Sequence, residues 1–277
     1  MHDDSSQIQI TVNERPQTTA AGTTLFALRD ALMPGADVLV LNGGPVAGDA
    51  VLQQGDAVVL IARGEMPPED ELEALMAARH TPGVHARLKQ ACVGIAGLGG
   101  LGSAVAIALA RIGVGHLVLA DFDVVEPSNL NRQQYFVDQI GLKKVHALGD
   151  ILARVNPYVR LTRHEVRLTT SNVPDIFGDA HVLIEAFDAA DQKAMLFESF
   201  GAAHPGIPIV MATGLAGHGP SNTVRTRKVG SRLYIVGDGE TAAGPGMGLM
   251  APRVGIAAHH QANATLRLLL GESPEAE

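Results

Sequence analysis

Residues 92–102 read Cys92-Val93-Gly94-Ile95-Ala96-Gly97-Leu98-Gly99-Gly100-Leu101-Gly102, and residues 117–121 read Leu117-Val118-Leu119-Ala120-Asp121. The small-residue stretch between them, 103–112, has the composition of a helix. Strand, glycine turn, helix, strand and acid follow one another in the order that a dinucleotide-binding βαβ unit requires. Gly97 permits a tight turn, Gly99 lets the backbone approach a phosphate, and Gly102 lets helix and strand pack closely. The helix N-terminus then offers unpaired N–H groups and a positive dipole end to an anion. Asp121 falls where a carboxylate accepts hydrogen bonds from a ribose. Glycines at this spacing also occur wherever a helix packs tightly on a sheet, so a purely structural reading stands beside the nucleotide one.

The residues that follow are more specific. Residues 121–133 read D-F-D-V-V-E-P-S-N-L-N-R-Q, with Gly141-Leu142-Lys143-Lys144-Val145 beyond them. A dinucleotide carries two phosphates that a helix dipole can serve, and needs no cluster of cations here. Arg132 and Lys144, at the carboxyl edge of the sheet, suit a triphosphate tail; the alternative is a pair of solvated surface cations.

The chain is 277 residues long, enough for one or two domains with a sizeable core. Hydrophobic residues make up 46% and charged residues 18%, a globular rather than disordered composition. A net charge of −8 without a basic block gives no electrostatic footprint for nucleic acid. The single cysteine excludes an internal disulfide framework and an all-cysteine zinc site. No basic leader opens the chain and no apolar run reaches about 18 residues, so a soluble, cytoplasmic protein without membrane contact is expected.

Ahead of the glycine turn, Ile8, Ile10 and Val12 alternate with polar residues as a half-buried strand does, and 13–16 supply a turn. Gly22-Thr23-Thr24 offers a helix cap before Leu25, Phe26, Leu28 and Leu32. Two further strands, at 38–41 and 58–61, flank the hairpin signal Asn42-Gly43-Gly44. This is a small α+β unit over 1–64. Pro67-Pro68-Glu69-Asp70-Glu71 opens a linker helix within 65–82, with acids in its first turn as the helix dipole favours.

Beyond the glycine unit, strand and helix patterns alternate, with apolar runs at 181–187 and 207–211, as in a doubly wound, mostly parallel sheet. Asp188 ends one run, where it serves either as a metal-binding acid or as an ordinary N-cap. An antiparallel pair, 224–229 and 233–236, extends the sheet. A glycine-rich stretch at 237–246 is either a mobile loop over the site or a long surface loop. A closing helix ends at Gly271, and 272–277 reads as an acidic, disordered tail.

The pattern D-x-D-x-V-x-x-S-N-L-x-R-Q after G-L-G-G-L-G resembles the ThiF, MoeB and HesA adenylyltransferases, relatives of the ubiquitin-activating enzymes. The resemblance spans about residues 79–271 and looks closest to a short ThiF type that acts on the thiamine-pathway sulfur carrier ThiS. Residues 1–64 resemble ThiS itself, a β-grasp domain, but continue past Arg63-Gly64 instead of ending in a free Gly-Gly carboxylate. The resemblance implies a Rossmann-like ATP-binding domain over 83–271 that adenylates a carrier's C-terminal glycine and releases pyrophosphate. It implies ATP contacts at Gly97, Gly99, Gly100, Gly102, Asp121, Asp123, Asn129, Arg132 and Lys144, with Mg²⁺ on Asp188. Arg132, Lys144 and Asp188 then carry catalysis, in a homodimer, and Arg79 lies near where the family places an arginine that can reach a partner subunit's nucleotide. Many relatives hold zinc with two Cys-x-x-Cys pairs, which this chain lacks, so no zinc is expected. Cys92 opens a core strand and is expected to be buried, leaving chemistry that stops at the adenylate. A non-catalytic activating-enzyme-like scaffold and an NAD-dependent oxidoreductase remain as alternatives.

Overall fold

A computed structural model describes residues 7–78, 80–81 and 83–275; Arg79 lies outside the described residues. The chain divides into two compact units, Met1–Pro82 and Gly83–Glu277.

The first unit holds β1 (Gln7–Val12), β2 (Arg15–Ala20), α1 (Leu25–Leu32), β3 (Val38–Leu41), β4 (Gly44–Pro45), β5 (Ala57–Ile61) and α2 (Glu69–Ala77). Its sheet runs β2-β1-β5-β3-β4, with β1 and β5 parallel at the centre. The alternation of Ile10 and Val12 on β1 and of Val58 and Leu60 on β5 buries one face against Leu25 and Leu28 of α1. Thr24 caps that helix, its side chain accepting from the Ala27 N–H. Asn13 and Glu14 both have positive φ, as do Asn42 and Gly43, which is what a two-residue hairpin turn demands. The polar strand β2 has no apolar alternation and contains Pro16, which its edge position tolerates. The segment expected as a linker helix is tied to this unit: Asn13 Nδ2 donates to Glu71, and Arg15 pairs with Asp70 at 2.9 Å.

The second unit contains α3 (Val84–Lys89), β6 (Cys92–Ala96), α4 (Gly100–Arg111), β7 (His116–Asp121), α5 (Lys144–Val155), β8 (Arg160–Glu165) and α6 (Val173–Phe177). It continues through β9 (Val182–Glu185), α7 (Ala190–Ala203), β10 (Ile209–Ala212), β11 (Arg225–Val229), β12 (Leu233–Gly237) and α8 (Ala251–Leu269). The sheet order is β11-β12-β10-β9-β6-β7-β8, parallel throughout except for the β11–β12 pair. One face packs on α4, α5 and α8 through Val105, Leu109, Leu148 and Ala258, the other on α6 and α7 through Phe177 and Phe200. The strands β6 and β9 are buried at every position, which explains their unbroken apolar runs. The chain winds outward from β6 in one direction through β7 and β8, then returns to β9 on the other side. The crevice at the carboxyl ends of β6 and β9 is therefore the switch point of the fold, where doubly wound sheets bind ligands.

Gly271 ends α8 with a positive φ, and the acidic segment behind it is held as far as Glu275, whose carboxylate accepts the Lys228 N–H at 2.9 Å. Among the described residues no helix is long and apolar enough to cross a membrane.

Candidate nucleotide site

A cavity of about 700 Å³ opens at the switch point, lined by the ends of β6, β7, β9 and β10 and by the loops that follow them. Its size suits a small-molecule ligand. Gly97, Gly99 and Gly100 line it, at the turn into α4. Gly97 has φ +90°, and a Cβ there would press the Ala186 carbonyl oxygen at 3.0 Å. Gly99 faces open space, its nearest neighbour for a Cβ being Gln133 Nε2 at 3.8 Å. Gly102 lies behind the cavity wall instead, where a Cβ would overlap the Gly97 carbonyl; its part is packing rather than ligand contact.

The turn is braced from two sides. Asp121, buried at the end of β7, accepts the Leu98 N–H at 2.7 Å on one oxygen and the Asp123 N–H at 2.8 Å on the other. Buried Tyr135 donates its hydroxyl to Leu98 O at 2.7 Å, and burial, with the charges of Asp121 and Asp123, raises that phenol above its ordinary value. Sequence reasoning missed Tyr135, whose partner is 37 residues away.

Arg132 and Lys144 both line the cavity. Lys144 begins α5 and is buried, with Nζ 3.0 Å from Asp123 Oδ2. Arg132 is held by Asn131 Oδ1 at 2.8 Å. Asn129 does not reach the cavity: its side chain accepts the Glu126 N–H at 3.2 Å and caps the short 3₁₀ turn Pro127–Asn131, and that turn positions Arg132. Gln133, next to Arg132, was not singled out from sequence; it is buried, lines the cavity, and leaves Oε1 without a partner among the described residues.

Asp188 follows β9, is exposed to the cavity and makes no hydrogen bond or ion pair among the described residues. No group of three or more His, Cys, Asp or Glu converges among the described residues. A single carboxylate on the same cavity as the glycine turn fits Mg²⁺, which takes one or two carboxylates and completes its shell with phosphates and water. Three residues earlier, fully buried Glu185 pairs with Lys193 Nζ at 2.8 Å. Burial pushes the Glu185 carboxyl up, against the pull of the Lys193 ammonium.

The glycine-rich loop contributes residues 239–243 to the lining. Its anchor is Asp238, which accepts from the Glu240 and Thr241 N–H groups at 2.8 and 2.9 Å, from Thr241 Oγ1 at 2.8 Å, and from Arg253 Nη2 at 2.6 Å. Burial raises the Asp238 carboxyl, and these donors together more than reverse it, holding it well below the usual carboxylate range. Arg253 also donates to the Gly219 and Pro220 carbonyls, so one ion pair ties the 219–220 segment to the loop whose residues 239–243 line the cavity. At the opposite end of the sheet, Cys92 is buried with Sγ 3.2 Å from His116 Nδ1, outside the cavity lining.

Residues 73–277 match the ThiF family model, and residues 8–64 match a model described as ThiS-like ubiquitin. The chain is 30% identical over 205 residues to the adenylyltransferase and sulfurtransferase UBA4 of Saccharomyces cerevisiae, covering 71% of this chain and 46% of that protein. It is 40% identical over 103 residues to the probable adenylyltransferase/sulfurtransferase MoeZ of Mycobacterium tuberculosis, covering 37% of this chain and 26% of that one. It thus spans less than half the length of these curated relatives. The fold is similar to that of the E. coli tRNA N6-threonylcarbamoyladenosine dehydratase TcdA, solved in complex with ATP, at a TM-score of 0.65 and 22% identity, covering 71% of this chain and 92% of that one.

Proposed function

The chain belongs to the ThiF family, and we propose that it is an adenylyltransferase that joins AMP to the C-terminal glycine carboxylate of a ubiquitin-like sulfur carrier. The observation that carries this reading is the pairing of an open glycine turn with two cations, Arg132 and Lys144, in one cavity at the switch point. A dinucleotide site needs the first and not the second.

The reaction needs little from the protein in acid–base chemistry. The carrier's carboxylate is already a nucleophile; its oxygen bonds to the α-phosphorus of ATP as the bond to the bridging oxygen of pyrophosphate breaks. No proton has to move. What remains is alignment of the two reactants and neutralisation of the charge that grows on the leaving pyrophosphate. In this reading the backbone at Gly99 and Gly100 approaches the phosphates, and Asp121 holds the ribose. Arg132 and Lys144 take the leaving-group charge. Asp188 would hold Mg²⁺, which supplies charge neutralisation to the phosphates when bound. Loop 239–243, anchored at Asp238, bounds the path by which an extended tail reaches the α-phosphate.

The ThiS-like character of the first unit supports a thiamine-pathway carrier in this reading, and the proposal includes a homodimeric working form in the cytoplasm. Carrier-dependent exchange of pyrophosphate into ATP tests the proposal, with a ThiS-type carrier ending in Gly-Gly as substrate. Exchange above the carrier-free background is expected. Thermal protection by NAD but not by ATP would instead point to a dinucleotide enzyme.

A further inference from the structure

Among the described residues Asp188 has no side-chain partner, so its direction is set by the backbone of the turn between β9 and α7. That backbone is held by a buried charge pair. Glu185 is fully buried; one of its oxygens accepts the Phe187 N–H at 2.6 Å and the other the Ala212 N–H at 3.3 Å. Lys193 Nζ bridges both oxygens, at 2.8 and 3.0 Å, and also donates to Ala212 O at 2.9 Å. Gln261 of α8 fastens the Glu185 carbonyl at 2.9 Å. Three ammonium donors are thus matched to three acceptors drawn from β9 and β10, and Lys193 itself lines the cavity. Burying a carboxylate and an ammonium generally stabilises a fold no more than apolar residues of the same volume would. An apolar pair, however, could not grip the Phe187 and Ala212 N–H groups, which precede Asp188 and the loop following β10 respectively.

We propose that Glu185 and Lys193 are positioning residues that aim Asp188 at the metal–triphosphate and hold the β9 and β10 ends at the separation the reaction needs. The inference rests on the adenylation reading for its rate effect, and has a second readout that does not. Four variants are compared with wild type: Lys193→Arg, Lys193→Met, the neutral double variant Glu185→Gln/Lys193→Met, and Asp188→Ala. Melting temperature, ATP affinity with and without Mg²⁺, and carrier-dependent pyrophosphate exchange are measured on each, well below the midpoint of unfolding.

In wild type, Mg²⁺ should tighten ATP binding. Lys193→Met and the double variant should lose most of that Mg²⁺ dependence while keeping metal-free ATP affinity, and should lower exchange by about 10–100-fold, toward Asp188→Ala. Lys193→Arg, which retains charge and donors, should restore both within a few-fold. Wild-type Mg²⁺ dependence in folded Lys193→Met would overturn the inference. So would a Lys193→Arg protein as impaired as Lys193→Met, because that result means local packing alone. Should the double variant not fold, the Met and Arg single variants still decide between these outcomes. A wild-type protein that binds Mg²⁺–ATP but exchanges with no carrier would sink the adenylation reading and leave the positioning inference to the binding data.

Discussion

Lys144 holds Asp123 twice: its Nζ lies 3.0 Å from Asp123 Oδ2, and its backbone N–H donates to Asp123 O at 3.0 Å. The lysine is buried and the carboxylate half-exposed, so the cation is kept at the cavity wall with its charge balanced until a ligand enters. Lys144→Ala and Arg132→Ala should each fold and should each reduce pyrophosphate exchange by about 10²–10³, the usual cost of losing one contact to developing charge. Asp123→Asn should act differently. It frees Lys144 from its counter-ion, so it should tighten binding of inorganic tripolyphosphate while lowering exchange. Unchanged exchange in both cation variants would show that the phosphates lie elsewhere.

Asp238 gives a prediction about pH. Its folded carboxyl is held below the ordinary range, so it binds a proton more readily in the unfolded chain. The sign follows from linkage: its stabilisation is fully present above the unfolded value of about 3.9 and is lost as pH falls from there toward the lower folded value. Asp238→Asn should cost ~2 kcal/mol at pH 7, the scale of hydrogen bonds to a charged group, and correspondingly less as the medium is acidified below about pH 4. Thermal unfolding at pH 7 should show a midpoint lower by about 4–8 °C, and proteolysis should shift to the 239–250 stretch. Equal midpoints would mean that the Arg253 pair contributes little to holding the loops.

Much of this site was legible because its parts are local. The glycine turn, the acid at the end of β7 and the run through Arg132 are consecutive, and the buried strands announce themselves by unbroken apolar sequence. Asn129 shows the limit: it belongs to the same run, yet its side chain is spent capping the turn that presents Arg132. Tyr135, Lys193 and Arg253 escaped notice for a common reason. Each acts through a partner fixed by the tertiary fold, and neither a tyrosine nor a helical lysine carries a local mark of such a contact. The edge strand β2 escaped because polar residues on an edge need no alternation, and its Pro16 argued against a strand.

Cys92 yields a chemical test. Burial pushes its thiol up, and the nearby Asp179 charge adds to this while Arg160 opposes it; the adjacent His116 is pushed down by burial and by Arg160. The pair therefore favours thiol and neutral imidazole at pH 7, with little thiolate available to attack an adenylate. Native protein should react with a thiol reagent at least ~10-fold more slowly than unfolded protein, and the difference should narrow only as pH rises past the ordinary thiol value of about 8.5. Cys92→Ser should retain exchange activity. A thioester or acyl-disulfide at Cys92 by non-reducing mass spectrometry would contradict both its burial and a reaction that stops at the adenylate.

The two glycines at the ends of the turn should separate packing from binding. A Cβ on Gly102 overlaps the Gly97 carbonyl oxygen, a backbone atom that cannot move without breaking the α4–β6 packing. Gly102→Ala should therefore unfold or lower the melting point by many degrees, and lose ATP binding only as a consequence. A Cβ on Gly99 meets nothing closer than Gln133 Nε2 at 3.8 Å. Gly99→Ala should melt near wild type, yet its methyl group stands between backbone and phosphate; a displacement of about 1 Å there costs on the order of 10² in rate. If Gly99→Ala binds and exchanges like wild type, the phosphates do not pass over this turn.

The first unit sets the last prediction. It has the sheet and helix of a carrier and a ThiS-like sequence over residues 8–64, but Arg63 and Gly64 run on into Glu65 and then α2. A carboxylate is the nucleophile in the proposed reaction, and an internal peptide carbonyl at Gly64 offers none. If the second unit activates carriers as proposed, covalent tethering gives the first unit a high effective concentration, so its lack of a reactive end decides whether it competes or is consumed. The intact chain, given ATP and Mg²⁺, should acquire no adenylate anywhere in its first 66 residues, and exchange should rise only when a separate Gly-Gly carrier is supplied. Proteolytic release of a new carboxylate at Gly64 should convert the unit into a substrate of low efficiency, because a carrier tail ends in two glycines and this one would end in Arg63-Gly64. Peptide mapping after incubation with labelled ATP measures both outcomes; label within the first 66 residues of the uncleaved chain would show that the unit is itself modified and not a carrier-shaped partner domain.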